Sequence, residues 1–305
     1  MRKSNIFSVV FASMIAGVIY LFSLSIEIVG PDFYSYTNAL ESGVLQFMYR
    51  EIVSWWLISL FISSYHDLLI LSIILQLLLC YTLISFSIRQ FKVGESFDKR
   101  VIIFFTLSSM LLLNPFNYLL SISALRQGIA AVFFIVALDR LFRKTLLHAL
   151  PYFILSILSH NSMLVFASAF IFFRYFEFIK EELKLVLYVV PLIYVQINFL
   201  GKQELVTDSN RHLYLMSHLL VIGYAIYARS RKLKKIVFAA IAPSLGFINE
   251  LSYFDRMSLF STALVWPVVI TELYSRMRPQ LSIIVVVLPF AFVFVFVMSR
   301  LETVW

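Results

Sequence analysis

The chain is poor in what builds soluble enzymes and secreted scaffolds. It has one cysteine, Cys80, in 305 residues. An internal disulfide and a cysteine-based metal site are therefore both excluded. Five histidines and scattered acidic residues offer no His-x-x-x-His or Asp-x-Asp pair, so no metal and no cofactor is expected. Gly-rich phosphate loops and a Ser-nucleophile elbow are missing, which argues against nucleotide-driven chemistry. Charged residues make up only 14% of the chain, and no internal repeat or low-complexity tract breaks it.

Hydrophobic residues make up 61%, and mean hydropathy is +0.90. Repeated apolar runs of about 20 residues at this composition indicate an all-α, polytopic helical membrane protein in one domain, 1–305. A transmembrane barrel would alternate in short segments, and this chain does not. The first run, 6–26, lacks a small-residue cleavage site after Arg2 and Lys3. It reads as a retained first span.

Net charge is +8. The excess follows topology, because cytoplasmic loops concentrate Lys and Arg. With the N-terminus cytoplasmic, spans are expected at 6–26, 66–87 and 101–113, then through Arg126 to Arg140, and at 185–199, 212–228, 236–251, 257–273 and 281–299. Two partial elements complete the fold. Residues 52–63 are too short to span and carry Trp55 and Trp56, which suits an outer interfacial helix. Residues 146–173 must not cross once, or the basic cluster Arg229 to Lys235 would fall outside. They are expected to fold as a re-entrant hairpin of two half-helices, bent near Ser159-His160-Asn161-Ser162. The map leaves all but six basic residues inside: Arg50, Arg126, Lys202, Arg211, Arg256 and Arg300. Anionic lipid is the expected partner of the inner charge, and no nucleic acid is needed.

Five of these six are arginines, whose planar fork suits phosphate oxygens. On the same expected face lie Asp32, Glu51, Asp255, His160, Tyr34 and Tyr36. Cations for phosphate, carboxylates and imidazole for a hydroxyl proton, and rings for a sugar are the parts that a lipid-linked phosphorylated saccharide requires. Each has a plainer reading. Arg50-Glu51 and Asp255-Arg256 can be local ion pairs, Arg126 can snorkel to headgroups, and His160 can be a structural histidine at a helix break. The serines around His160 are expected to satisfy the backbone of the bend.

The order of these motifs resembles the EpsG/Wzy type of bacterial polysaccharide polymerase. Gly30-Pro31-Asp32-Phe33-Tyr34-Ser35-Tyr36 is similar to the family's acidic–tyrosine motif, and Arg50-Glu51 to its later acidic motif, with Ile52 in place of the usual proline. Leu125-Arg126-Gln127-Gly128-Ile129-Ala130 resembles its arginine–glutamine helix start. Leu158-Ser159-His160-Asn161-Ser162 resembles its histidine–serine element. Tyr253-Phe254-Asp255-Arg256-Met257 resembles the late arginine motif, with Leu259-Phe260 replacing an aromatic pair.

The resemblance implies an inner-membrane enzyme facing the periplasm that joins undecaprenyl-diphosphate-linked repeat units of O-antigen, capsule or exopolysaccharide. Glu51, His160 and Asp32 would be its catalytic groups. Arg126, Arg256, Arg50, Arg211, Gln127, Tyr34, Tyr36 and Asp255 would bind the diphosphate and sugars. A chain-length regulator and a flippase would be its protein partners. The alternative is a transporter or flippase of lipid-linked saccharides or other anionic solutes.

Overall fold

The computed structural model describes residues 51–61, 65–91, 125–197, 211–249 and 251–276. The described residues are helical, with no strand among them. Nine helices follow in order: α1 (Ile52–Phe61), α2 (Tyr65–Phe91), α3 (Leu125–Arg143), α4 (Leu146–Ser159), α5 (Met163–Tyr175), α6 (Glu181–Val195), α7 (Arg211–Tyr227), α8 (Arg231–Gly246) and α9 (Leu251–Arg276). The spans expected at 6–26, 101–113 and 281–299 lie outside the described residues. The stretches Ile70–Phe91 and Tyr253–Arg276 are long and apolar enough to cross a membrane, whereas Leu146–Ser159, Met163–Tyr175 and Tyr214–Tyr227 are shorter apolar helices.

The chain divides into two compact units. One holds the described residues up to Asn161 together with the end of α9 from Ile270. The other runs from Ser162 to Val269. In the first, α3 packs along both α2 and α4, and α1 rests on α3 and α4. Asp139 of α3, although buried, bonds Arg89 at 3.1 Å and Gln90 of α2, and pairs with Arg143 one turn on. The ring of Phe134 meets Phe153 edge-on at 5.4 Å between α3 and α4. Ser156 of α4 donates to the Ala130 carbonyl of α3 at 2.8 Å.

Several helices turn apolar side chains outward and polar ones inward. On α2, Ile70, Ile74, Leu78 and Tyr81 are exposed at spacings of four, four and three, which is one helical face. Ser72, Gln76, Ser87 and Gln90 of the same helix are buried. On α6, Leu183, Val186, Leu187, Val190 and Tyr194 are exposed while Glu181 and Lys184 are buried. Soluble monomers avoid apolar stripes of this extent on their surface.

The expected break in 146–173 is present. Helix α4 ends at Ser159, His160 is extended (φ −160°, ψ 123°), and α5 starts at Met163. At a rise of about 1.5 Å per residue, α4 with 14 residues and α5 with 13 each reach about 20 Å, short of a bilayer core of about 30 Å.

Two expected boundaries are corrected. The basic cluster before residue 236 is part of a helix, since α8 begins at Arg231 behind Ser230, whose hydroxyl accepts from the Leu233 N–H at 3.1 Å. A side-chain cap satisfies an N–H that the helix cannot, so the start moves to the serine. Helix α8 also ends at Gly246, ahead of the expected 251, and residues 247–249 form a turn.

In the second unit α8 packs against α5, α6 and α7. Gly246 lets α6 approach closely: a Cβ there would stand 2.6 Å from a Leu192 side-chain carbon. Ser244 of α8 and Ser261 of α9 share a hydrogen bond at 2.7 Å, and Ser261 also donates to the Ala240 carbonyl at 2.6 Å. Short hydroxyl side chains of this kind hold helices together where water is scarce.

Candidate functional site around Glu51

Three elements far apart in sequence meet at the start of α1. Glu51 has φ 61°, the left-handed region that a side chain with Cβ seldom adopts. Its carbonyl accepts the Trp55 N–H at 3.2 Å and so opens the helix. A residue held in this region costs about 1–3 kcal/mol and persists only where its surroundings demand it. Here the demand comes from the carboxylate. Glu51 Oε2 accepts from Arg126 Nη1 at 2.5 Å, and Oε1 lies 3.6 Å from His160 Nε2. The second separation is longer than a direct hydrogen bond and short enough for electrostatic contact.

The carboxylate is nearly buried, with 9% of its side-chain surface exposed, while Arg126 retains 29% and His160 13%. The cation thus reaches the surface and the anion lies behind it. Arg126 stands in the first turn of α3, where unpaired N–H groups already make the helix end positive. A lysine or arginine is electrostatically disfavoured at this position, so Glu51 offsets a concentration of positive charge. That charge is suited to an incoming anion. The guanidinium also lies over the Trp55 ring, 5.3 Å from its centroid. This contact orients its plane and leaves an arginine no equivalent replacement in lysine.

The backbone is tied as firmly as the side chains. Ser54 is fully buried, and its hydroxyl donates to the Ser159 carbonyl at 2.8 Å. The Arg126 carbonyl lies 3.4 Å from the same oxygen. One hydroxyl therefore links the helix carrying Glu51 to the chain beside His160 and beside Arg126. Ser159 in turn donates to the Leu155 carbonyl at 2.7 Å, which is the backbone role expected for the serines of the bend.

Of the expected site residues, Glu51, Arg126 and His160 are brought together. Gln127 is buried beside Arg126 on α3. Arg256 is exposed on α9 and Asp255 is half-buried next to it, both in the second unit. Arg211 is the first residue of α7. Asp32, Tyr34, Tyr36 and Arg50 lie outside the described residues.

The sequence reading did not single out Ser54, and it placed Trp55 at the lipid headgroups. Ser54 lies one helical turn after Glu51, so it shares a face with it, a spacing visible in the sequence. Among the described residues, no group of three or more His, Cys, Asp or Glu could hold a metal ion.

A second charge cluster joins the α5–α6 connection to the start of α8. Glu181 is buried and bonds Lys184 Nζ and Arg231 Nε at 2.9 and 3.0 Å. Lys184 is also buried and donates to the Phe173 carbonyl. Glu177 pairs with Arg174 and Lys235, and Glu182 with Lys234. The hydrogen bond and charge of Lys235 hold the Glu177 carboxyl below its ordinary value of 4.5, and the hydrogen bond from Lys234 does the same for Glu182. In this cluster Arg174, Lys184, Arg231, Lys234 and Lys235 each face a carboxylate.

Comparison of the chain with known protein families, with curated proteins and with solved structures returns no match. The functional reading rests on these residues.

Proposed function

We propose that this chain is a multi-span membrane glycosyltransferase of the EpsG/Wzy type. It joins undecaprenyl-diphosphate-linked oligosaccharide repeat units on the outer face of the bacterial inner membrane, with its N-terminus in the cytoplasm. The single observation that supports this most is the convergence of Arg126 and His160 on the strained Glu51, because those residues head three of the motifs on which the family resemblance rests. The outward apolar faces of α2 and α6 support the bilayer as its solvent.

In this reading the donor diphosphate meets Arg126, whose charge and fork stabilise the leaving group as negative charge develops on it. An acceptor hydroxyl gives its proton to Glu51 or His160, and its oxygen forms the new bond to the anomeric carbon. The bond from that carbon to the diphosphate oxygen breaks, and undecaprenyl diphosphate departs. No nucleotide enters, since the energy lies in the sugar–diphosphate bond. Gln127 and the tyrosines Tyr34 and Tyr36 belong to the sugar side. Asp32 is a further acidic candidate, and Arg50 assists with phosphate. A chain-length regulator and a flippase act beside it.

The test is reconstitution of the purified protein with lipid-diphosphate oligosaccharide and no nucleotide. Glycan chains longer than the substrate are expected. Transbilayer movement of intact substrate without new glycosidic bonds would overturn the reading in favour of a transporter.

A further inference from the structure

Helices α7 and α9 hold three buried polar atoms with no partner among the described residues: His218 Nε2, Ser258 Oγ and Thr262 Oγ1. The three residues are at most 2% exposed. Such groups in a packed interior are satisfied by protein or by ordered water, because leaving them bare forfeits their hydration for nothing. The neighbouring Ser261 shows how this chain treats a hydroxyl in a dry helix contact. It donates to the carbonyls of Ala240 and Met257 and meets Ser244. Ser258 and Thr262 make no such bond, not even to their own helix.

The three orphans lie on two helices that meet along one seam. Tyr214 and His218 both lie against the Phe254 ring at 6.3 Å, and Ser217 accepts from the Trp266 indole at 2.9 Å. Residues 217 and 218 of α7 therefore touch α9 on both sides of Ser258 and Thr262. Asp255, Ser258 and Thr262 follow at spacings of three and four, which puts them on one stripe of α9. That stripe runs about 10 Å along the helix, from half-buried Asp255 inward.

We propose that α7 and α9 enclose a hydrated site in which a hydroxyl group bridges His218 to Ser258 and Thr262, and that the site opens at the end of α9 carrying Asp255. Three polar atoms are what a buried water typically bonds. The same three would accept and donate to a ring hydroxyl of a carbohydrate. The inference stands without the polymerase reading.

Hydroxyl-radical footprinting of the full chain in nanodiscs tests it, since radicals form where water is held. Phe254 is expected to oxidise at least about tenfold faster than Phe166 and Phe260, which pack on each other edge-on, because water at the seam is ordered beside it. Equal rates for Phe254 and that pair would overturn the proposal. In a Cys80→Ser background, Ser258→Cys and Thr262→Cys are expected to react with aqueous methanethiosulfonate ethylammonium while the protein is folded. Reaction only after unfolding would overturn the opening. Free monosaccharides added to both experiments separate the occupants: protection assigns the seam to a carbohydrate hydroxyl, and unchanged labelling assigns it to water.

Discussion

The two charge clusters use the same residue types to opposite ends. Around Glu51 a single carboxylate faces two partners brought from α3 and the α4–α5 break, on a strained backbone, with its cation stacked on Trp55 and open to the surface. Around Glu181 the partners are close in sequence or on the neighbouring α8, and the central pair, Lys184 with Glu181, is sealed from solvent. A sealed pair fixes packing and has no room for a ligand. Glu181 also holds the exposed Arg231, so a surface arginine on a buried carboxylate is common to both clusters. The Glu51 cluster adds His160 beside the same carboxylate, a left-handed backbone and the stack of Arg126 on Trp55. The difference teaches that convergence of unlike groups on a strained residue, more than number of ion pairs, separates a site from a strut.

Substitutions break this comparison in order of size. Arg126→Ala should lower chain growth by about 100-fold or more, the scale seen when a group that stabilises developing negative charge is removed. Arg126→Lys should recover little of it, because lysine lacks the planar fork that bonds Glu51 and stacks on Trp55. Lys184→Ala should be the mirror image: about 1–3 kcal/mol of stability lost because one Glu181 oxygen keeps no partner while the other still holds Arg231, read by thermal unfolding, with little change in activity per folded molecule. Equal damage to activity from both would erase the distinction between site and strut.

A smaller effect is expected from Gly246→Ala, which pushes a methyl into Leu192 and should cost about 1–3 kcal/mol by overpacking. Smaller again is the response to acid. Glu177 and Glu182 have lowered carboxyl values in the fold, so their pairs contribute fully above the ordinary 4.5. The contribution is lost as pH falls below 4.5 through the lowered values. Amide exchange across 176–184 and the first turns of α8 should rise in that window and also with added salt, since Glu177 is exposed. Exchange independent of pH there would remove these pairs from the fold's support.

The helices were legible from apolar runs, and the break at His160 from the parity of basic clusters. Neither the exact start of α8 nor its partners could be read that way. The positive-inside argument counts Lys and Arg and ignores acids. It therefore missed that Glu177, Glu181 and Glu182 draw Lys235, Arg231 and Lys234 into order, and that Ser230 caps a helix through the basic run. At the site, motif order suggested that Arg126, His160 and Glu51 belong together. What it left open was that Glu51 is the joint between the other two, held by a left-handed backbone. That requires a contact across 75 residues, which no local pattern encodes. His218 escaped notice because a single histidine in the middle of an apolar run reads as core, and only its missing partner marks it.

The central claim is that Arg126, backed by Glu51 beside His160, works on a lipid diphosphate. The most direct measurement compares glycan chain growth by purified, reconstituted wild-type protein and by Arg126→Ala at matched folded protein, with Lys184→Ala alongside. Growth in wild type, none in Arg126→Ala and wild-type growth per folded molecule in Lys184→Ala is the result expected. Full growth in Arg126→Ala, or no growth in wild type, would contradict the claim.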